Sequence, residues 1–130
     1  MVLMIDDDDD ALEIYSMLVD KTAQADHFVT RNNGMDALEF LQECHTNEEQ
    51  GFPLYILLDL NMPGFGGREF IEKYEADYYH EYPDTEIFIL TSSVREKDNE
   101  EALSYASVSH FISKPLSKEK LLRLIAESTS

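Results

Sequence analysis

Four apolar runs in this chain end in residues that can handle phosphate or a divalent cation. Met1-Val-Leu-Met-Ile closes on Asp6-Asp7, Tyr55-Ile-Leu-Leu on Asp59, Ile87-Phe-Ile-Leu on Thr91-Ser92, and Phe111-Ile-Ser on Lys114-Pro115. If the runs are parallel strands, their carboxyl ends gather carboxylates, a hydroxyl and an ammonium at one sheet edge. Crowded carboxylates repel, which raises their pKa values and costs stability, and a bound divalent ion relieves both. Magnesium suits such a set, because it takes oxygen ligands, keeps several waters and needs few protein carboxylates beside a phosphate oxygen. The backbone carbonyl near Asn61 offers a further ligand. Lys114 on the same edge would offset charge and steady the charge that develops during phosphoryl transfer. Its bond to Pro115 can be cis at modest cost. A calcium loop of the EF-hand kind starting at Asp6 is excluded, because Ala11 and Met17 stand where it needs glycine and glutamate. Asp8, Asp9 and Asp10 read as a helix cap and first-turn acids that complement the helix dipole.

These groups need a framework, and the hydrophobic pattern supplies one. Strand-length apolar runs alternate with amphipathic stretches, which predicts five β-α units and a parallel sheet. Strands are expected near residues 2–5, 26–31, 54–59, 86–91 and 108–112. Helix faces are marked by Leu12, Tyr15, Leu18 and Val19, by Ala37, Phe40, Leu41 and Cys44, and by Phe70, Tyr74 and Tyr78. Ala102, Leu103 and Ala106 suggest a fourth helix, and Leu121, Leu124 and Ile125 a fifth. The first, third and fourth runs are nearly continuous in apolar residues, as central strands covered on both faces must be, whereas the mixed second and fifth suit the edges. Right-handed crossovers then give a three-layer α-β-α fold with a five-stranded parallel sheet of order 2-1-3-4-5. Chain travel reverses between strands one and three. Ligands bind at that switch point in such folds, which places Asp6, Asp7 and Asp59 there.

The chain has 130 residues, 43% of them apolar, enough for one core and one domain. A formal charge of −17 argues against direct nucleic-acid contact and favours partners with a basic or apolar face. No apolar stretch is long enough to span a bilayer, and the first run meets acids too soon for a signal peptide, so a cytoplasmic protein is expected. The lone cysteine, Cys44, reads as a buried thiol on an apolar helix face. The acidic, tyrosine-rich stretch from Glu72 to Tyr82 is either a partner surface or a helix with a partly solvated face.

The combination Asp6-Asp7, Asp59-Leu-Asn-Met-Pro63 with Gly66 and Gly67, Thr91-Ser92 and Lys114-Pro115 runs in order along essentially the whole chain. It resembles the receiver domain of two-component response regulators, of the single-domain, CheY-like kind with a flavodoxin-like (βα)5 fold. The resemblance implies that residues 1–130 form one receiver domain with no output domain. It makes Asp59 the phosphoacceptor, phosphorylated by a phosphohistidine on a sensor histidine kinase or a histidine phosphotransfer protein. It makes Asp6, Asp7, Asp59 and the Asn61 carbonyl the holders of Mg2+, and Lys114 a contact to a phosphoryl oxygen. Thr91 would donate its hydroxyl to the phosphoryl group and move toward it, and Phe111 occupies the aromatic switch position, where receivers often have tyrosine. Asn61 and Ser93, two residues past the implied acceptor and two past Thr91, would tune hydrolysis by their access to the attacking water. The implied activity is self-catalysed phosphoryl transfer and autodephosphorylation, not turnover of an external substrate. The implied switch biases the surface of the fourth helix, fifth strand and fifth helix, around residues 94–125, which a downstream protein partner reads.

Two other readings stand beside this one: a receiver-like scaffold that is never phosphorylated, and a flavin-binding, flavodoxin-like module. The second would hold its phosphate in a loop rich in Ser, Thr and Gly after the first strand. Here that loop has five aspartates, which would repel the phosphate.

Overall fold

Alternation along the central strands sorts the core into two halves. In the computed structural model, which describes residues 1–47, 49–60, 62, 64–91 and 104–129, these strands are β1 (Val2–Ile5), β3 (Tyr55–Asp59) and β4 (Glu86–Thr91). The edge strands are β2 (Phe28–Arg31) and β5 (Val108–Ser113). Leu3, Ile5, Ile56, Leu58, Ile87 and Ile89 face one side, and Val2, Met4, Leu57, Phe88 and Leu90 the other. Successive side chains on a strand point to opposite faces, so each run fills both halves at once.

Helices α2 (Gly34–Thr46) and α3 (Gly67–Asp77) cover the first half with Ala37, Phe40, Leu41, Cys44, Phe70, Ile71 and Tyr74. Helices α1 (Asp9–Asp20) and α4 (Lys118–Ser128) cover the second with Leu12, Val19, Leu121, Leu124 and Ile125. The sheet is parallel throughout with order β2-β1-β3-β4-β5. The central strands are nearly wholly buried, whereas every residue of β2 and most of β5 are only partly covered, as their mixed sequences require.

Local signals start the helices. Asp8 caps α1, its side chain accepting from the Ala11 N–H at 3.2 Å, and Asp9 and Asp10 fill the first turn. Asn33 caps α2 by accepting from the Asp36 N–H, and Ser117 caps α4 by accepting from the Lys120 N–H. Cys44 is buried, and burial pushes its thiol up to about 11. β2 starts later than the pattern suggests, because Ala25–His27 forms a short 3-10 turn. Of the fourth expected helix, Ala102 and Leu103 lie outside the described residues, and Ala106 stands in the turn before β5.

The tyrosine-rich stretch is largely used internally. Tyr74 and Tyr78 are buried. Tyr82 stacks on Phe52 at 3.6 Å between ring centres, and its hydroxyl lies 2.8 Å from His45 Nδ1. Glu75 accepts from both the N–H and the hydroxyl of Ser107, tying α3 to the turn before β5. No described helix is long and apolar enough to cross a membrane.

Candidate functional site

The register of the sheet brings the chemically loaded residues together. Ile5 pairs with Leu58, so the next residue along each strand sets Asp6 beside Asp59. On the other side of β3, Asp59 pairs with Leu90, and Thr91 follows as the last residue of β4. Thr91 in turn pairs with Ser113, one residue before Lys114. Four adjacent strand ends therefore carry Asp6, Asp59, Thr91 and Lys114 in a row.

Asp6 and Asp59 are 2% and 6% exposed, whereas Asp7 is open to solvent. One carboxylate oxygen from each of the three lies within 4.8 Å of the others. Asp6 is also held by its own backbone surroundings: its N–H donates to the Arg31 carbonyl at 3.2 Å, and one carboxylate oxygen accepts from the Asp8 N–H at 3.0 Å. The second oxygen faces the pocket.

The Lys114 ammonium occupies the space between the buried acids, 3.0 Å from Asp6 Oδ2 and 3.3 Å from Asp59 Oδ2. Burial lowers its pKa, but the hydrogen bonds and charges of Asp6 and Asp59 outweigh that and leave it above the ordinary lysine value. The ammonium thus offsets part of the carboxylate repulsion expected from sequence. Its backbone is fixed as well: the Lys114 N–H donates to the Thr91 carbonyl at 2.9 Å, and the peptide bond to Pro115 is cis.

Behind the end of β3, the chain returns in close contact with itself. The Gly67 N–H at the start of α3 donates to the Leu60 carbonyl at 3.3 Å. A Cβ on Gly67 would stand 2.7 Å from the Leu60 Cα and 3.0 Å from the Asp59 carbonyl oxygen, so only glycine permits this approach. Thr91 is buried at the end of β4, and Phe111 is half-buried in β5 against the α2/α3 side of the core.

All the expected site residues that are described converge on this edge except Phe111, which sits three residues earlier along β5, as the sequence order requires. Asn61, Pro63, Ser92 and Ser93 lie outside the described residues. The sequence reading missed the Asp8 N–H bond to Asp6, which a turn between strand and helix cap would suggest. It also missed the unequal burial of Asp6 and Asp7, since Asp6 is 2% exposed and Asp7 is open to solvent although their carboxylates converge on one cluster. The Tyr15 hydroxyl, which donates to the Leu116 carbonyl at 3.0 Å, gave no signal beyond a helix-face spacing.

Comparison with known proteins gives the family and the fold. The family model of the response regulator receiver domain matches residues 2–126, so the chain belongs to that family. A two-component response regulator from Cytophaga hutchinsonii is 26% identical with a TM-score of 0.80, covering 98% of this chain and 95% of its own. A two-component response regulator from Legionella pneumophila is 24% identical with a TM-score of 0.76, covering 98% and 96%. The Vibrio cholerae chemotaxis protein CheY4 is 24% identical with a TM-score of 0.75, again covering 98% and 96%. No curated relative matches the chain at a significant level. Family and fold together make this a CheY-like receiver domain of two-component signalling.

Proposed function

We propose that this receiver accepts a phosphoryl group on Asp59 from a phosphohistidine of a sensor histidine kinase or a histidine phosphotransfer protein, in the cytoplasm. The observation that carries this reading is the Lys114 ammonium shared between the buried acids Asp6 and Asp59 at the strand ends. A plain structural ion pair needs one acid; this lysine has two, with a third carboxylate close by.

The donor set is all oxygen and acidic, which fits a hard cation. Asp6, Asp7 and Asp59, with the backbone carbonyl of Asn61, would hold a magnesium ion. When bound, the ion supplies positive charge to the oxygens of the phosphoryl group in transfer.

The protein's own part of the reaction follows from its geometry. An Asp59 carboxylate oxygen attacks phosphorus as the phosphorus–nitrogen bond of the donor breaks, and that bond's electron pair returns to the imidazole nitrogen. Lys114 exchanges a carboxylate oxygen for a phosphoryl oxygen without leaving the pocket. This places a fixed positive charge where negative charge develops. Thr91, next to Asp59 across β3 and β4, donates its hydroxyl to the phosphoryl group. Asp59 phosphate is later hydrolysed by the same site, with no external substrate turned over.

Signalling then rests on a population shift. Phosphate favours one placement of Thr91 and, through β5, one rotamer of Phe111, whose ring is half-buried against the core. The surface of β5 and α4 with the segment before them changes, and a downstream protein partner reads it.

Phosphoramidate, a small donor with the phosphorus–nitrogen bond of phosphohistidine, tests the reading. Incubation with magnesium followed by hydroxylamine should leave a hydroxamate at Asp59 on peptide mapping, since hydroxylamine cleaves acyl phosphates. A phosphate that survives hydroxylamine, or that maps to a serine or threonine, would overturn it.

A further inference from the structure

Tyr15 stands on the inner face of α1 with its ring against the apolar cluster beneath that helix. Its hydroxyl has a different partner. It reaches across to the turn after β5 and donates to the Leu116 carbonyl at 3.0 Å, two residues past Lys114. Leu116 is buried, and Tyr15, Asp6, Lys114 and Leu116 line one cavity of about 340 Å³.

We infer that Tyr15 is a positioning residue for Lys114, clamping the Lys114-Pro115-Leu116 turn to α1 so that the ammonium stays between Asp6 and Asp59. The bonds close a circuit. Asp6 accepts from the Asp8 N–H at the start of α1, Tyr15 on α1 donates to Leu116, and Lys114 in the same turn returns to Asp6. On its far side the turn is held by the Lys114 N–H to the Thr91 carbonyl. A lysine has a long flexible stem, so its ammonium is placed only as well as the backbone that carries it. Burial raises the Tyr15 phenol above its ordinary value, so it remains a donor at neutral pH.

The cavity beside the bond predicts how the clamp fails. In Tyr15→Phe, water entering that space can satisfy the Leu116 carbonyl, so the fold survives while the turn loses its fixed distance from α1. The effect on rate rests on Asp59 being the phosphoacceptor; the clamp on the ammonium does not.

Two measurements on wild type and Tyr15→Phe separate these points. The first is NMR of the Lys114 ammonium in metal-free protein, assigned by its loss in Lys114→Arg. Hydrogen exchange of that group should speed up by about fivefold in Tyr15→Phe, the factor that one hydrogen bond is worth. The second is phosphorylation by phosphoramidate at saturating magnesium, which should slow by a similar factor with the half-saturating magnesium concentration unchanged. Unaltered exchange of the ammonium in a folded Tyr15→Phe would overturn the inference. So would a rate loss of the same factor in the Lys114→Arg background, since the effect would then not pass through the lysine. If wild type takes no phosphate while its ammonium exchange still depends on Tyr15, the clamp stands and the phosphoacceptor reading fails.

Discussion

The Lys114 ammonium lies 3.0 Å from a carboxylate oxygen of Asp6, a residue from the opposite end of the chain and 2% exposed. The pair joins the first strand to the turn after the last. Because Lys114 also reaches Asp59 at 3.3 Å, the resting site already holds one cation against its acids.

Removing that cation leaves buried carboxylate charge unpaired. Lys114→Met should lower metal-free stability by about 2 kcal/mol and enlarge the stabilisation that excess magnesium gives. The pKa of Lys114 is raised in the folded state, so its contribution is fully present below the ordinary lysine value of 10.5 and is lost as pH rises through the higher folded value. Urea melts across the alkaline range should therefore show a constant gap between wild type and Lys114→Met up to about 10.5, closing above it. A gap that closes near neutrality would contradict the ion-pair account.

Asp7 tests the crowding of acids without touching the ion pair. It belongs to the carboxylate cluster but is exposed, and Lys114 is engaged by the other two acids. Asp7→Asn should raise the metal-free melting midpoint by relieving repulsion and reduce the shift given by magnesium. Thermal melts with chelator and with excess magnesium decide it; an unchanged response to magnesium would remove Asp7 from the site.

The sequence showed where chemistry collects but not how it is held in place. Strand ends at Asp6, Asp59, Thr91 and Lys114 were legible because an apolar run and the polar residue that ends it are adjacent in the chain. Edge and central strands were legible because burial on two faces leaves no room for polar residues, as comparison of Leu57 with His110 shows. Asp6 and Asp7 look alike as letters, and only the path of the chain leaving β1 buries one and exposes the other. The bonds of Tyr15 to Leu116, His45 to Tyr82 and Glu75 to Ser107 join distant segments. Their partners are chosen by how helices settle on the sheet, which no local pattern encodes.

Gly67 is the point where α3 meets the end of β3. A methyl group there would collide with Leu60 Cα at 2.7 Å, and backbone cannot swing aside as a side chain does. Gly67→Ala should cost about 2 kcal/mol of stability and slow phosphorylation by displacing the Asp59-Leu60 backbone. Chemical denaturation and phosphoramidate kinetics on the same sample check both; full stability with normal kinetics would mean that the contact is looser than described.

Tyr74 offers a gain. Its ring is fully buried, its hydroxyl has no hydrogen-bond partner of good geometry among the described residues, and burial pushes its pKa up to about 12. The nearby Thr85 hydroxyl already donates to the Pro53 carbonyl at 2.8 Å. Tyr74→Phe should be neutral or stabilising by about 1 kcal/mol, since it removes a desolvated polar group that recovers little. A loss of similar size on denaturation would reveal a bond from Tyr74, with Thr85 as the first candidate.

The most direct test of the central claim is the intact mass of wild type and Asp59→Asn after incubation with acetyl phosphate, with magnesium and with chelator. A single labile phosphate adduct on wild type, absent from Asp59→Asn and absent with chelator, is the expected result. An adduct of equal yield on Asp59→Asn, or one that forms without any divalent ion, would contradict it.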